Sequence, residues 1–139
     1  MNSKRWVERP WGYFSVYAEN EPCTVKMLCI QPYQALSLQM HNHREQRYII
    51  IDPMRLEWSD SPVPENLTVD KILHWYSEHE HNQMCYPGDE FLFGIRVIHR
   101  ASNHSNNLVR FFEVSFGLND EEDIIRLDDR YGRAIRGIV

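Results

Sequence analysis

The stretch that decides the fold is residues 36–46, which have the sequence LSLQMHNHREQ. Its first half alternates between apolar and polar residues, as a strand does when one face lies in a core. On such a strand Gln39 and His41 are two residues apart and point to the same side. The pattern predicts a half-buried strand that directs both polar side chains to one point inside a barrel.

Similar segments occur on both sides of this stretch, with turn residues between them. A helix is predicted over residues 66–79 with Asn66 as its N-cap, although residues 71–76 could equally form a strand. The charged tail over residues 120–136 has room for a short helical turn. Many short strands predict an all-β barrel or jelly roll. The further strands are predicted over residues 13–17, 24–30, 48–58 (with a bulge or sheet edge at Pro53), 90–93 and 109–116.

Length and composition predict a single domain over residues 1–139, with 42% apolar residues to form a core. The net charge of −5 gives no electrostatic case for nucleic-acid binding. No apolar run approaches the ~20 residues of a membrane helix, and the N-terminal residues do not have the pattern of a signal peptide. The three cysteines form no CxxC pair, which favours reduced thiols and a cytoplasmic location.

A second imidazole follows later in the chain, where His99 comes after a turn at residues 87–89. Two histidines with oxygen donors and an open coordination position are typical of a catalytic divalent-metal site. The alternative is that the histidines are ordinary surface residues. His79 and His81, farther from the motif, could form a second metal site or overhang the barrel mouth, but an exposed polar loop is the favoured interpretation.

Four strings in order resemble the type II mannose-6-phosphate isomerase family, the cupin domain found alone or at the C-terminal end of bifunctional isomerase/GDP-mannose pyrophosphorylases. They are RPWGYF (9–14), LSLQMHNHR (36–44), FFEVSFG (111–117) and DIIRLDDRYGR (123–133). The resemblance implies a cupin double-stranded β-helix, a jelly roll, with a short helical or irregular insertion at about residues 60–82.

The resemblance also implies a metal site. The ligands would be Gln39, His41, the side chain at position 46 and His99, and the cofactor would be a divalent ion: Zn, or Co, Mn, Mg or Ni. Position 46 carries a carboxylate in the family and Gln46 here, unless Glu45 swings in by a local register change. The family's Pro and Gly ahead of the last histidine are Gly94 and Arg96 in this chain.

The function expected from the resemblance is metal-dependent interconversion of mannose 6-phosphate and fructose 6-phosphate in nucleotide-sugar or polysaccharide synthesis. The alternatives are a catalytically decayed cupin that binds a sugar or a partner, and a cupin enzyme that acts on another sugar. A base would be supplied by His43, Glu45 or Lys26. The substrate phosphate would be bound by guanidinium groups from the set Arg44, Arg110, Arg126 and Arg133.

Two alternatives stay open at this point. Arg126 and Arg133 could instead form surface ion pairs with the carboxylates at Asp123, Asp128 and Asp129. The apolar N-terminal segment over residues 6–14 predicts a homodimer formed through sheet edges, but this segment could simply complete its own barrel.

Overall fold

The computed structural model describes residues 5–20, 23–117 and 123–135. Within them the chain forms two antiparallel sheets and one helix. The elements are β1 (Arg5–Arg9), β2 (Gly12–Asn20), β3 (Cys23–Ile30), β4 (Leu38–Met40), β5 (Arg44–Ile50), β6 (Met54–Ser59), α1 (Val69–His79), β7 (Glu80–Cys85), β8 (Glu90–Phe93), β9 (His99–Ser102), β10 (Val109–Gly117) and β11 (Ile125–Asp128).

The two sheets face each other. One has six strands in the order β1-β2-β3-β10-β5-β8, and the other has five in the order β11-β4-β9-β6-β7. Consecutive strands of the chain repeatedly cross between the sheets, as they do in a jelly roll. The expected all-β fold is confirmed. No helix in the described residues is long and apolar enough to cross a membrane.

The main core lies between the sheets and follows from strand alternation. In β10, Val109 and Phe111 are buried while Arg110 is exposed, as the sequence pattern predicts. Gly12 begins β2 with φ +154°, and a Cβ at that position would collide with the carbonyl oxygen of Cys29. Only glycine allows this close approach of two backbones.

The prediction of one strand over residues 48–58 is wrong, because two strands of different sheets occupy that range. β5 ends at Ile50, where the amides of Ile51 and Asp52 both donate to the carbonyl oxygen of Arg110. The chain then turns at Pro53, which lacks an N–H for a ladder, and β6 continues in the other sheet.

The insertion is an ordered helix with a following strand. The N-cap is Thr68, whose Oγ1 accepts from the amide of Lys71 at 3.3 Å, and not Asn66, which has φ +61°. α1 buries Ile72 and Tyr76 in a second apolar cluster on the outer face of the five-stranded sheet. The strand alternative for residues 71–76 is therefore wrong.

The tail also differs from the expectation. Residues 125–128 form β11, which pairs with β4, where a short helical turn was expected in the range 120–136. Residues 120–122 and 136 lie outside the described part of the chain. The strand matters for the site because it adds Arg126 directly beside Gln39 in the sheet register.

Candidate functional site

A cavity of about 470 Å³ lies between the two sheets, near the N-terminal strand and the tail. Apolar side chains from Trp11, Phe14 and Leu28 line one part of it. The rest is lined by polar and charged side chains on β3, β4, β5, β10 and β11. A concave site with a few convergent polar groups on an apolar wall is the usual form of a small-molecule site.

Two buried imidazoles lie beside this cavity, with ring centroids 5.4 Å apart. Nδ1 of His41 is 2.6 Å from the carbonyl oxygen of Asp123, and Nδ1 of His99 is 3.0 Å from that of Val97. A carbonyl oxygen only accepts, so Nδ1 carries the hydrogen in both rings. Each Nε2 therefore presents a lone pair to the interior.

Both Nε2 atoms approach the same group, the carboxamide of Gln46. Its terminal atom lies 3.2 Å from Nε2 of His41 and 3.0 Å from Nε2 of His99. The other end of the amide lies 3.3 Å from Oγ of Ser115. The structure thus brings together His41, Gln46 and His99, which the sequence analysis expects at one site. The contact of the amide with Ser115 is not among its expectations.

Burial keeps these rings neutral. It lowers the pKa of His41 to about 4, with a further contribution from the positive charge of Arg44. It lowers the pKa of His99 to about 3, with further contributions from His41 and Arg44. Loss of water disfavours the imidazolium form, and no carboxylate offsets that effect for either ring.

The pairing of β5 explains why position 46 and not position 45 faces the interior. The ladder from Phe111–Ile50 to Gly117–Arg44 runs without a register shift. Arg44 and Gln46 are therefore buried while Glu45 is exposed. A local change that would bring Glu45 inside is not present.

Gln39 lies on β4, directly opposite His99 on β9 and Arg126 on β11. Its Oε1 accepts from the hydroxyl of Ser37 at 2.7 Å, and the Gln39 side chain lines the cavity. The three opposed residues form a row across the five-stranded sheet. The row places a guanidinium, an amide and an imidazole along one wall.

The opposite wall carries a buried carboxylate that the sequence analysis did not select. Glu113 on β10 is 6% exposed, lines the cavity and lies directly opposite Lys26 on β3. Nζ of Lys26 lies 4.7 Å over the ring of Phe14. Strand alternation could have identified it, because Glu113 falls on the same predicted face as Phe111. A charged residue on a core-facing position is rarely buried unless it has a partner or a function.

Three guanidinium groups reach the other end of the cavity, from Arg9, Arg126 and Arg133. The pKa of Arg126 is lowered, first by burial and then by the like charge of Arg133; Asp129 has an opposite effect, and Arg9 lowers the pKa further by a smaller amount. Arg133 pairs with Asp129 at 2.9 Å, as the ion-pair alternative for the tail expects. Nε of Arg126 is buried and has no hydrogen-bond partner among the residues that the structure describes.

Three of the expected site residues are exposed and lie away from the cavity. His43 and Glu45 are exposed and do not line it. Arg110 is exposed on the outer face and pairs with Asp52 at 2.8 Å. By contrast Lys26 and Arg44 are buried and line the cavity. Arg126 and Arg133 are partly buried and also line it.

Two residues fix the loop that carries His41. The Asp123 carboxylate accepts from the amides of Asn42 and His43, each at 2.9 Å. Arg96 has φ +60° where the resembled family has glycine, and its amide donates to the carbonyl oxygen of His41 at 2.7 Å. The Arg96 guanidinium also donates to Asn42 at 2.8 Å, which offsets the cost of the left-handed backbone.

The histidines of the insertion lie elsewhere. His79 ends α1 and stacks on Trp75 at 4.2 Å, and His81 in β7 stacks on Trp58 at 5.7 Å. They belong to regular elements, so the expected polar loop is not what the structure shows. The described residues bring together no group of three or more His, Cys, Asp or Glu side chains, here or elsewhere.

The donor set at the centre does not fit a divalent cation that acts in catalysis. Its expected ligands are two neutral imidazoles and the two neutral amides of Gln39 and Gln46, with no carboxylate among them. Hard cations prefer carboxylate oxygens, and zinc sites use anionic or imidazole ligands rather than amides. Lys26 and Arg44 add positive charge to the same cavity, where Glu113 is a buried carboxylate and Glu8 an exposed one at the edge.

Comparison with known sequences gives a consistent picture. Residues 1–62 match the model of the family described as mannose-6-phosphate isomerase C-terminal. Over 130 residues the chain is 31% identical to xanthan biosynthesis protein XanB of Xanthomonas campestris pv. campestris. This alignment covers 93% of this chain and 24% of that protein. It is 25% identical to mannose-1-phosphate guanylyltransferase ManC of Salmonella typhimurium, with 93% and 23% coverage. The chain spans about a quarter of the length of these curated relatives.

Solved structures confirm the double-stranded β-helix of a cupin as the fold. A conserved protein with a double-stranded β-helix domain from Klebsiella pneumoniae has a TM-score of 0.60 at 15% identity, with 83% of each chain covered. The capsular polysaccharide assembling protein CapF of Staphylococcus aureus has a TM-score of 0.67 at 8% identity, with 93% of this chain and 35% of that chain covered.

Proposed function

From the membership of this chain in the mannose-6-phosphate isomerase C-terminal family of cupin domains, we propose that its cavity binds a phosphorylated hexose of the mannose 6-phosphate and fructose 6-phosphate type. Relatives named for xanthan and alginate biosynthesis support a role in making precursors of polysaccharides. The charges and dimensions of the cavity support the same ligand class.

The observation that carries the proposal is the guanidinium cluster around Arg126. Burial lowers the pKa of Arg126, and the like charges of Arg133 and Arg9 lower it further, although Asp129 offsets part of that repulsion. Within the described part of the chain, the buried Nε of Arg126 has no acceptor. A phosphate group would neutralise the repulsion and accept from that nitrogen, because a guanidinium matches the geometry of phosphate oxygens.

The row of opposed residues sets the position of the sugar. Arg126 and His99 lie two strands apart, on either side of Gln39, which corresponds to about 10 Å between their backbones. This span is comparable to the length of a phosphorylated hexose. With the phosphate at Arg126, the sugar hydroxyls would lie near the amides of Gln39 and Gln46, and Trp11 and Phe14 would cover an apolar face of the ring.

Isomerisation of the bound sugar is a second candidate function, favoured by Glu113, a buried carboxylate in the cavity lining. Conversion of an aldose to a ketose moves a proton from C2 to C1 and a hydroxyl proton from O2 to O1, with no net oxidation. The buried carboxylate of Glu113 would carry the carbon proton. Lys26, opposite it, would stabilise negative charge on the enediolate oxygens.

Calorimetric titration tests the binding proposal. We expect mannose 6-phosphate to bind one molecule per chain, at least 10-fold more tightly than unphosphorylated mannose. Arg126→Gln should weaken binding of the phosphorylated sugar about 10-fold or more and leave the weak binding of mannose unchanged. The matched control is Arg110→Gln, since Arg110 is exposed outside the cavity. Equal effects of the two substitutions would contradict the proposal.

A coupled assay of fructose 6-phosphate formation separates turnover from binding. If the chain is an isomerase, Glu113→Gln should reduce kcat at least 100-fold while the affinity for mannose 6-phosphate changes much less. Binding without any turnover in the unmodified protein would reject the isomerase candidate and favour a decayed cupin that binds a sugar.

A further inference from the structure

We propose that the Gln46 carboxamide takes the place of a metal ion at the centre of this cupin and joins His41 and His99 through its own two N–H groups. The proposal concerns how the centre is held together and does not depend on which sugar the cavity binds. It starts from the hydrogen positions on the two rings.

The ring nitrogens that contact the backbone carry the hydrogen in both imidazoles. Nδ1 of each ring faces a carbonyl oxygen, at 2.6 Å for His41 and 3.0 Å for His99, and must donate to it. His41 is 2% exposed and His99 1%, so a second hydrogen on either ring would make an imidazolium with almost no access to water. Both Nε2 atoms therefore accept.

The group between two accepting nitrogens has to be a donor. The terminal atom of Gln46 at 3.2 and 3.0 Å from the two Nε2 atoms is assigned as Oε1, an acceptor, which would face two lone pairs. Oxygen and nitrogen of a carboxamide have the same shape, so the hydrogen-bond network decides which is which. An NH₂ group has two hydrogens, one for each imidazole.

The contact at the other end of the amide is consistent with this exchange, in which Nε2 of Gln46 faces the imidazoles and Oε1 faces Ser115. Oγ of Ser115 lies 3.3 Å from that end, and a hydroxyl donates as readily as it accepts. With the oxygen there, the one hydroxyl hydrogen of Ser115 is donated to Gln46 at 3.3 Å instead of to Oε1 of Glu113 at 3.5 Å, and both imidazoles face a donor. Gln46 is 1% exposed, so an unsatisfied arrangement would cost stability.

The same geometry explains what glutamate at this position would do. A carboxylate has no N–H to offer, so two Nε2 lone pairs and two oxygens would converge with nothing between them. A divalent cation would satisfy all of them at once and would receive the negative charge that the present donor set lacks. Gln46 thus converts a metal-binding arrangement into a neutral hydrogen-bonded one.

Nitrogen-15 NMR of the histidine side chains tests the assignment directly in the unmodified protein. After treatment with EDTA, His41 and His99 should both show a protonated Nδ1 and an unprotonated, hydrogen-bonded Nε2 at pH 7. Spectra before and after the chelator should be the same. A change in either ring on removal of metal, or an N–H at Nε2, would overturn the proposal.

Titration of Zn²⁺ and Mn²⁺ into the EDTA-treated protein provides the second test. The unmodified chain should bind neither ion at the buried centre, and Gln46→Glu should bind at least 10-fold more tightly. Glu45→Gln is the matched control, because Glu45 is the exposed neighbour on the same strand. One tightly bound ion per unmodified chain, or equal affinity in Gln46→Glu, would refute the proposal. If Gln46→Glu does not fold, the NMR measurement decides alone.

Discussion

At the scale of single residues, the cavity depends on polar side chains that β-strand alternation forces into the interior. Glu113, Lys26 and Gln46 occupy inward positions of three neighbouring strands of one sheet. Burying such polar and charged groups costs free energy, which is offset only if they contact one another or a ligand. The two imidazoles across the cavity are the clearest case, because burial holds them neutral.

The pH dependence of stability follows from those imidazoles. Their folded-state pKa values, about 4 for His41 and about 3 for His99, lie below the ordinary value of 6.5, so the unfolded chain binds protons first. The free energy of unfolding is therefore highest above pH 6.5, where both rings are neutral in the folded and the unfolded chain. It decreases as the pH falls towards 4, by on the order of 1 kcal/mol per pH unit for each ring. The positive charge of Arg44 acts in the same direction on both rings, and that of Lys26 does so on His41.

Urea denaturation at pH 7, 6, 5 and 4.5 measures this dependence. His99→Asn should make the decrease in unfolding free energy shallower over that range. His74→Gln is the control, because His74 is exposed on α1 and should leave the slope unchanged. Identical slopes in all three proteins would show that the buried rings do not titrate as described.

Much of the site could be predicted at this scale, and the exceptions have physical causes. Alternation correctly places Gln39 and His41 inward, and the same rule places Glu113 inward, yet a carboxylate on a core strand attracts attention only once the cavity is known. His43 and Glu45 were expected as bases on the grounds of titration range and proximity. The register of β5 and the loop before it leave both in solvent.

At the scale of secondary-structure elements, the insertion is held by the packing of α1 and by its N-cap. Thr68→Ala should lower the free energy of unfolding by about 1 kcal/mol, because the amide of Lys71 loses its acceptor. Thr68→Ser keeps the hydroxyl and should retain most of the stability. Chemical denaturation of the three proteins measures the effect, and equal losses for Ala and Ser would contradict the capping role.

The sequence predicts the strands better than their ends. β2, β3, β8 and β10 follow alternation and turn residues closely. The range 48–58 looked like one strand because both halves are apolar and β-branched residues continue to Ile51. What separates them is the crossing between sheets, a property of the whole fold that local pattern does not contain. The N-cap is Thr68 and not the predicted Asn66, which has a left-handed backbone with φ +61°. The local pattern does not contain that backbone conformation either.

At the scale of the whole molecule, the first strand forms the edge of the six-stranded sheet. β1 pairs with β2 of its own chain, as the closed-barrel alternative expects, and Trp6 stacks on Tyr13 with ring centroids 3.9 Å apart. Trp6 is nonetheless 53% exposed. An exposed aromatic on an edge strand favours pairing with a second copy, so the homodimer stays a prediction.

Light scattering tests the dimer at micromolar concentration. The expected mass is close to twice 16.7 kDa, and Trp6→Glu should reduce it to that of one chain. Tyr86→Glu, at an exposed aromatic in the turn after β7, should leave the dimer intact. A mass of 16.7 kDa for the unmodified protein, or a dimer that persists in Trp6→Glu, would contradict assembly through β1.

The central claim is that the guanidinium end of the cavity binds the phosphate of a hexose phosphate without a metal ion. The measurement that tests it most directly is calorimetric titration of mannose 6-phosphate into EDTA-treated protein. We expect one site per chain, an affinity that is the same before and after the chelator, and a loss of affinity of about 10-fold or more in Arg126→Gln. Binding that appears only when a divalent metal is added, or that Arg126→Gln leaves unchanged, would contradict the claim.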